Sequence, residues 1–188
     1  MGSIATETRI VGVRTFGDEL LAAIAPLGLA LAAGTALMVD LDPDGPAYPG
    51  DRTVAELAAE GPRRSEMRPD RAGVAYLRNG GADSMAAVDV VTTLGDTWEA
   101  VVVRVGTESV PFPFPVIPVR PLWPGFLAPD GDCPAVWQMV PGGAEPPGPG
   151  PVLPPPGRST VSALLTGRRP QRSRWVRAWG QVWELPWR

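Results

Sequence analysis

The chain has 188 residues with 17 arginines, no lysine and no histidine, and its formal net charge is −3. The absence of histidine and lysine excludes catalysis by Ser-His or Cys-His pairs and Schiff-base chemistry on a lysine. The single cysteine, Cys133, excludes an internal disulfide and a zinc site built from several Cys or His ligands. At this length we expect one domain with a sizeable core, or one domain with a tail.

Charge is distributed unevenly along the chain. Residues 1–157 hold 10 Arg against 19 Asp and Glu, whereas residues 158–188 hold seven Arg against Glu184 alone. The acidic body argues against duplex nucleic acid as a partner. The basic tail is a candidate interaction segment.

The first predicted elements are a strand and a long helix. Residues 9–13 form a short apolar run that predicts a strand. Alanine and leucine favour a helix over residues 19–33, with Asp18 in the N-cap position and Gly34 as the stop. Pro26 lies in the middle of this helix, so we expect a kink or a later start.

A second apolar run follows directly. Residues 35–41 predict a buried parallel strand with a polar carboxyl end. Residues 20–39 hold no charge, and a stretch of that length could span a membrane. Because prolines and glycines interrupt the stretch and both flanks are acidic, a buried helix followed by a buried strand is the preferred interpretation.

Helices and strands alternate through the middle of the chain. Thr53 predicts the cap of a short helix, with Glu56 in the capping-box position. Residues 74–77 predict a strand, residues 83–95 a helix and residues 99–105 a further strand. This alternation predicts an α/β fold with a mostly parallel central sheet and flanking helices.

Prolines dominate the chain after residue 106. One strand is predicted there, at residues 135–140, and residues 141–157 predict an extended, semi-rigid connector. A short capped helix is expected to follow. The predicted organisation is an α/β domain over residues 1–140, the connector, and an arginine- and tryptophan-rich element over residues 158–188.

Four segments occur in an order shared with one known family. Residues 37–45 (LMVDLDPDG) look like a strand with a DxD signature, and residues 53–58 (TVAELA) look like the helix after it. Residues 74–81 (VAYLRNGG) look like the next strand and turn, and residues 97–106 (TWEAVVVRVG) look like the strand that bears the Walker B aspartate. Over residues 9–106 the chain thus resembles the ParA/MinD superfamily of P-loop ATPases, including its pilus-localisation and septum-site relatives. The resemblance implies a P-loop-type α/β fold.

The nucleotide-binding residues of that family are missing. A P-loop needs glycines whose N–H groups bind phosphate, followed by a lysine. Residues 14–18 (RTFGD) supply one glycine, no lysine and an aspartate, and Arg104 stands at the Walker B position. An arginine there would repel Mg²⁺. The resemblance therefore implies a pseudo-ATPase whose nucleotide site has degenerated.

Three residues remain as vestigial candidates for the nucleotide site. Asp40 and Asp42 match family positions that act near the attacking water and the metal. Arg14 is a cation that could contact phosphate, although its flat fork does not replace a lysine. With the other components absent, we interpret both aspartates as structural residues or N-cap partners. No cofactor, metal or catalytic residue is expected.

The tail carries the second candidate site. Its residues are Trp175, Trp179, Trp183 and Trp187, which recur at every fourth position, with Arg174 and Arg177 among them. This spacing places the rings on one side of either a helix or a strand. The preferred interpretation docks the rings into the core of the domain. The alternative exposes them, with the arginines, to a membrane surface or to the groove of a partner.

The expected function is that of a non-catalytic cytoplasmic scaffold, adaptor or localisation factor. It would bind a protein partner, such as a true ATPase of a pilus, secretion or division system. Two alternatives stay open. One is a weak nucleotide-binding or hydrolysing enzyme that uses Arg14, Asp40 and Asp42. The other is a peripheral membrane adaptor that uses the tail.

Overall fold

The computed structural model, which describes residues 9–63, 73–106, 111–125 and 134–186, centres on a seven-stranded parallel sheet. Its strands are β1 (Arg9–Thr15), β2 (Ala36–Asp40), β3 (Val74–Leu77), β4 (Ala100–Arg104), β5 (Val116–Pro121), β6 (Val136–Gln138) and β7 (Val152–Leu153). Their order in the sheet is β3-β2-β4-β1-β5-β6-β7. The predicted α/β class with a parallel sheet is confirmed. Cys133 lies outside the described residues.

Helices cover both faces of this sheet. They are α1 (Glu19–Ala33), α2 (Val54–Glu60), α3 (Ser84–Gly95), α4 (Arg158–Leu165), α5 (Arg174–Ala178) and α6 (Gly180–Trp183). One hydrophobic cluster joins α1, α4, α5 and α6 to one face, and a second joins α2 and α3 to the opposite face. Because successive strand residues point to opposite faces, Met38 enters the first cluster and Val39 the second. The central strands are thus buried on both sides, as their continuous apolar runs indicate.

Side chains cap the first three helices, and the first two caps are the predicted ones. The Asp18 carboxylate accepts a hydrogen bond from the Leu21 N–H at the start of α1. Thr53 and Glu56 form the predicted capping box of α2, and Asp83 caps α3. Such a side chain satisfies an otherwise unbonded amide and typically stabilises a helix by about 1 kcal/mol.

Pro26 does not delay the start of α1, which runs from Glu19 to Ala33. A proline lacks the N–H that would bond the carbonyl four residues earlier, and its ring pushes against that turn. The Tyr48 hydroxyl donates a 2.7 Å hydrogen bond to the Ala23 carbonyl in the turn before the proline. The bond is made one residue after Ala22, whose carbonyl the proline leaves without its helical donor.

The uncharged stretch of residues 20–39 divides between a helix and a strand. α1 ends at Ala33, Gly34 adopts a φ of 86°, and β2 begins at Ala36. Among the described residues, no helix combines the length and the apolar composition that crossing a bilayer requires. The preferred interpretation, a buried helix followed by a buried strand, is confirmed.

Strand β5 lies where the prolines of the sequence predict none. It contains Pro118, yet it pairs with β1 on one side and with β6 on the other. The carbonyls of Pro115 and Val119 accept hydrogen bonds from the β1 side. The backbone groups of successive strand residues point alternately to the two neighbouring strands, so those of Pro118 face β6. The pairing of β5 with β6 begins only at Val119. The missing N–H of Pro118 therefore removes no bond from the ladder.

Strand β7 lies inside the segment predicted as a connector. Val152 and Leu153 pair with β6 at the edge of the sheet, between Pro151 and Pro154. Pro151 takes part in this pairing through its carbonyl, which accepts a hydrogen bond from the Trp137 N–H, and Pro154 follows the last paired residue. Residues 141–157 thus contribute to the sheet rather than only spacing it from the tail.

Candidate functional site

The carboxyl ends of three adjacent strands meet beside the N-terminus of α1. β2, β4 and β1 are neighbours in the sheet, so the residues that follow them lie side by side. A cleft of about 500 Å³ opens here, with walls from the end of β1, the start of α1, the loop after β2 and the end of β4. In open parallel sheets ligands bind outside this edge, so the cleft is the candidate functional site.

The cleft is acidic. Its described lining holds the carboxylates of Asp18, Glu19, Asp42 and Asp44 and the guanidinium of Arg104. The Asp18 carboxylate occupies the N-terminus of α1, where a phosphate-binding loop would leave its amides free. Within the described part of the chain, no group of three or more acidic or cysteine side chains could hold a metal ion. Because four carboxylates and only one guanidinium line the described part of the cleft, its charge disfavours an anionic ligand such as a phosphate.

Asp40 and Arg104 form a buried ion pair at the base of the cleft. They end the adjacent strands β2 and β4 and lie opposite each other in the parallel register. Arg104 Nε donates to Asp40 Oδ1 at 2.7 Å, and Arg104 Nη2 donates to Asp40 Oδ2 at 2.8 Å. Arg104 is 1% exposed and Asp40 is 3% exposed, so neither charge is in bulk water. Where the resemblance implies a metal-binding aspartate, the chain has the cation of an internal pair.

Tyr48 joins this pair to α1. The Arg104 Cζ atom lies 4.4 Å from the centroid of the Tyr48 ring, within the range of a cation–π contact. The Tyr48 hydroxyl in turn donates to the Ala23 carbonyl. Burial raises the pKa of Tyr48 above its ordinary value, so the phenol stays protonated and keeps donating that bond. Strands β2 and β4 are thereby connected to the helix through three side chains.

Two opposing effects set the pKa of Asp40. Burial raises it, because the charged carboxylate loses its water, whereas the charge and hydrogen bonds of Arg104 and the Asp42 N–H lower it. Burial has the larger effect, so the pKa of Asp40 lies above its ordinary value. The carboxylate therefore depends on Arg104 to remain charged.

Asp42 is tied into the loop that follows β2. Its N–H donates to Asp40 Oδ1 at 3.0 Å, and its own Oδ1 accepts from the Asp44 N–H at 3.2 Å. An added Cβ on Gly45 would lie 2.6 Å from Arg104 Nη2, so the loop backbone closes tightly over the ion pair. In the described structure both candidate aspartates accept hydrogen bonds from nearby groups, and neither caps a helix.

Arg14 does not join the two aspartates. Its neighbour Val13 belongs to the hydrophobic cluster of α1, so Arg14 points to the opposite face of the sheet. In the described structure Arg14 does not line the cleft that contains Asp42. The three residues on which the enzyme alternative depends are therefore not brought together.

The tail folds onto α1. Trp179 stands between α5 and α6, and the rings of Trp175 and Trp179 pack edge to face with centroids 5.5 Å apart. Their exposed fractions are 1% and 0%. Both rings lie over Gly28 of α1, where an added Cβ would be 2.6 Å from the Trp175 ring and closer still to Trp179 Nε1. Gly28 thus provides the space in which both rings pack.

Hydrogen bonds fix the docked tail. Trp175 Nε1 donates to Gln138 Oε1 at 2.7 Å, and Trp183 Nε1 donates to the Leu29 carbonyl at 3.0 Å. The Gln138 amide nitrogen donates to the Pro154 carbonyl at 3.0 Å. Gln138 therefore connects the tail, β6 and the end of β7.

Replacement of Trp175 by phenylalanine is expected to lower the free energy of unfolding more than Trp179→Phe does, by about 1–3 kcal/mol. Both changes shrink a buried ring, but only Trp175→Phe leaves Gln138 Oε1 without its hydrogen bond. Trp179 Nε1 is buried without a hydrogen-bond partner in the described structure, so Trp179→Phe removes an unsatisfied donor. Urea unfolding of both variants measures the difference. Equal losses would contradict the assigned role of Gln138.

The other tail residues that the sequence singles out lie nearer the surface. Trp183 is half-buried, Arg174 and Arg177 are exposed, and Trp187 lies outside the described residues. The tail thus presents arginines to solvent and encloses Trp175 and Trp179, contrary to the alternative in which these rings are exposed.

Three residues of these sites have no signal in the sequence analysis. Tyr48, Gln138 and Gly28 each act through a contact with an element distant in the chain. The ion pair does have a signal, because Asp40 and Arg104 each end an apolar strand with a single charge of opposite sign. Such a combination indicates two adjacent buried strands.

No protein-family model, curated protein or solved structure matches this chain. Its function is therefore inferred from the geometry of the cleft and the tail, together with the motifs of residues 9–106.

Proposed function

We propose that this protein is a non-catalytic, pseudo-ATPase-like scaffold of the cytoplasm that acts through contacts with a protein partner. The observation that carries the proposal is the buried pair of Asp40 and Arg104 at the carboxyl edge of the sheet. In the ATPases that the sequence resembles, this place holds carboxylates that serve the metal and the attacking water. Here Arg104 donates a hydrogen bond to each carboxylate oxygen of Asp40, so this carboxylate is not available to a metal or to an attacking water.

The electrostatics of the cleft support the same proposal. A nucleoside triphosphate would bring several negative charges to a lining that already holds four carboxylates. The charge of the Arg104 guanidinium is neutralised by Asp40. At the start of α1 the Leu21 N–H already donates a hydrogen bond to the Asp18 carboxylate. Neither cofactor nor duplex nucleic acid is part of the proposal.

The two alternatives draw less support. A nucleotide-hydrolysing enzyme would need Arg14 beside Asp40 and Asp42, but Arg14 points to the other face of the sheet. A membrane adaptor would need exposed aromatic anchors, but Trp175 and Trp179 are buried. The exposed arginines of the tail suit contact with a protein partner, for example an ATPase of a pilus, secretion or division system.

Calorimetric titration of the full chain with Mg²⁺-ATP is expected to show no saturable heat at high-micromolar protein. The acidic cleft and the neutralised Arg104 give a triphosphate no net attraction, and Mg²⁺-ADP serves as the control ligand. One-to-one binding that Asp42→Asn weakens would place nucleotide in the cleft and overturn the proposal. So would stoichiometric ATP hydrolysis that is abolished by Asp40→Ala.

Cross-linking in cells to a motor ATPase would support the scaffold role, and recovery of no cross-linked protein would count against it.

A further inference from the structure

Six exposed arginines lie on and between helices α4 and α5. This basic layer consists of Arg158, Arg168, Arg169, Arg172, Arg174 and Arg177, and all six residues are exposed. In the described residues none of them forms an ion pair, and Glu184 is the only acidic residue between positions 158 and 186. A surface with uncompensated charge of one sign attracts surfaces of the other sign.

The basic layer is held in a fixed position. Thr160 Oγ1 donates a 3.0 Å hydrogen bond to the Ser173 hydroxyl, which ties α4 to the start of α5, and both residues are buried. Leu164 and Trp175 belong to the hydrophobic cluster of α1. Because a packed core sets the backbone positions of the arginines, binding does not have to order this segment first.

Helix α3, on the opposite side of the sheet, carries the complementary charge. This acidic layer, on α3 and the residues that flank it, consists of Asp83, Asp89, Asp96 and Glu99, all exposed. Residues 83–99 contain no arginine, and the described structure records no ion pair for these four carboxylates. Since α3 and α4–α6 belong to hydrophobic clusters on opposite sides of the sheet, the two layers face away from each other.

We propose that the basic layer of one molecule docks on the acidic layer of a second copy, so that copies stack head to tail. This inference goes beyond the pseudo-ATPase proposal and does not depend on it. The net charge of −3 keeps the overall repulsion between copies small, while the two layers attract at short range. An interface between two different patches is not closed by a twofold axis, so it generates rings or open chains.

A second copy matches the molecule better than a lipid or a nucleic acid does. Interfacial binding to membranes uses exposed aromatic or aliphatic anchors, and binding of single strands uses aromatic rings on which bases stack. Trp175 and Trp179 are buried and serve neither purpose, and the exposed large apolar side chains in the described part of residues 158–188 are Leu165 and Leu185. Lipid or nucleic acid would use only the basic layer, whereas a second copy satisfies both layers at once.

Two charge-reversal variants test the stacking without any other protein. The first carries Arg168→Glu, Arg169→Glu and Arg174→Glu, and the second carries Asp89→Arg, Asp96→Arg and Glu99→Arg. All six side chains are exposed and lack ion pairs in the described structure. Both variants should therefore keep the circular dichroism spectrum and melting temperature of the wild type, which is the control for folding.

The wild type should associate, each variant alone should not, and their mixture should. At about 50 mM salt the average mass of the wild type in sedimentation should rise with protein concentration. Each variant should stay monomeric. In the first, three Glu cancel the three Arg that remain in the basic layer, and in the second both layers carry net positive charge. An equimolar mixture should associate again, since the first variant keeps the acidic layer and the second keeps the basic layer. Salt at about 0.5 M should weaken the association of wild type and mixture roughly tenfold or more through screening.

Two kinds of result would overturn the proposal. One is a wild type that stays monomeric at every concentration, or a mixture of folded variants that does not associate. The other is a monomeric wild type that binds vesicles of phosphatidylcholine and phosphatidylserine, or duplex DNA, with binding lost in the first variant. That second result would assign the basic layer to phosphate-bearing surfaces instead.

Discussion

Replacement of Arg104 by alanine is expected to lower the free energy of unfolding by about 3–5 kcal/mol. The substitution leaves the Asp40 carboxylate, which is 3% exposed, without the cation that donates two hydrogen bonds to it. It also removes the group that packs on the Tyr48 ring. Urea unfolding at neutral pH, followed by circular dichroism, measures the loss.

The loss should depend on pH. Burial already raises the pKa of Asp40, and Arg104→Ala removes the charge that lowers it. A carboxyl group whose pKa is higher in the folded than in the unfolded protein costs no stability while both states are protonated. Stability then falls as the pH rises from the unfolded-state pKa to the folded-state pKa. The gap between variant and wild type should therefore widen from about pH 4 upward. A gap that is constant with pH would contradict a buried, unpaired Asp40.

Two further variants isolate the ion pair. The joint replacement Asp40→Leu with Arg104→Met removes both charges and keeps much of the volume, so it should recover most of the lost stability. Arg174→Ala removes an exposed arginine that has no ion pair in the described structure, so it should change stability little. If Arg104→Ala cost no more than Arg174→Ala, the pair would not support the fold as inferred.

Replacement of Gly28 by valine is expected to displace the tail from α1. Both indole rings are buried over Gly28, and a Cβ there would lie 2.6 Å from the Trp175 ring. At an open helical position Gly→Ala would add about 1 kcal/mol of stability. Here Gly28→Ala should instead destabilise by about 1–3 kcal/mol through overpacking, and Gly28→Val should destabilise further. Urea unfolding measures both losses, and the tryptophan emission of Gly28→Val should shift to the red as the rings reach water.

Gly180 provides the matched control for this experiment. It lies in α6 of the tail, and nothing lies within 4 Å of an added Cβ. Gly180→Ala should therefore leave the free energy of unfolding unchanged or raise it by up to about 1 kcal/mol. An increase in stability from Gly28→Ala, or an unshifted emission spectrum from Gly28→Val, would contradict the docking of the tail on α1.

Most elements of the first hundred residues follow from local chemistry. Asp18 and Gly34 bound α1 at both ends, and Thr53 with Glu56 begins α2, because capping depends on residues within one turn of the helix end. Continuous apolar runs predict buried parallel strands, as β2 and β4 confirm. These signals need no knowledge of which elements become neighbours.

The candidate site could be predicted only in part. Asp40 and Arg104 are recognisable from their positions at the ends of apolar strands. Their pairing depends on the adjacency of β2 and β4, which are separated in the chain by β3 and two helices. Arg14 is close to the site in sequence but lies on the other face, because side chains alternate along β1.

By itself the sequence determined the α/β class, the absence of histidine and lysine chemistry, and the separation of an acidic body from a basic tail. Only the tertiary structure decided the use of the prolines and the tryptophans. Pro118 is compatible with a strand because it faces a side where no ladder bond is due, which depends on the neighbouring strand. A period of four suits a helix and a strand equally. The space over Gly28 decided that Trp175 of α5 and Trp179 at its end pack inward. Contacts between distant segments determine whether the proline segment forms a strand and whether the tryptophans pack inward. The local conformational preference of these residues leaves the two outcomes nearly equal in free energy.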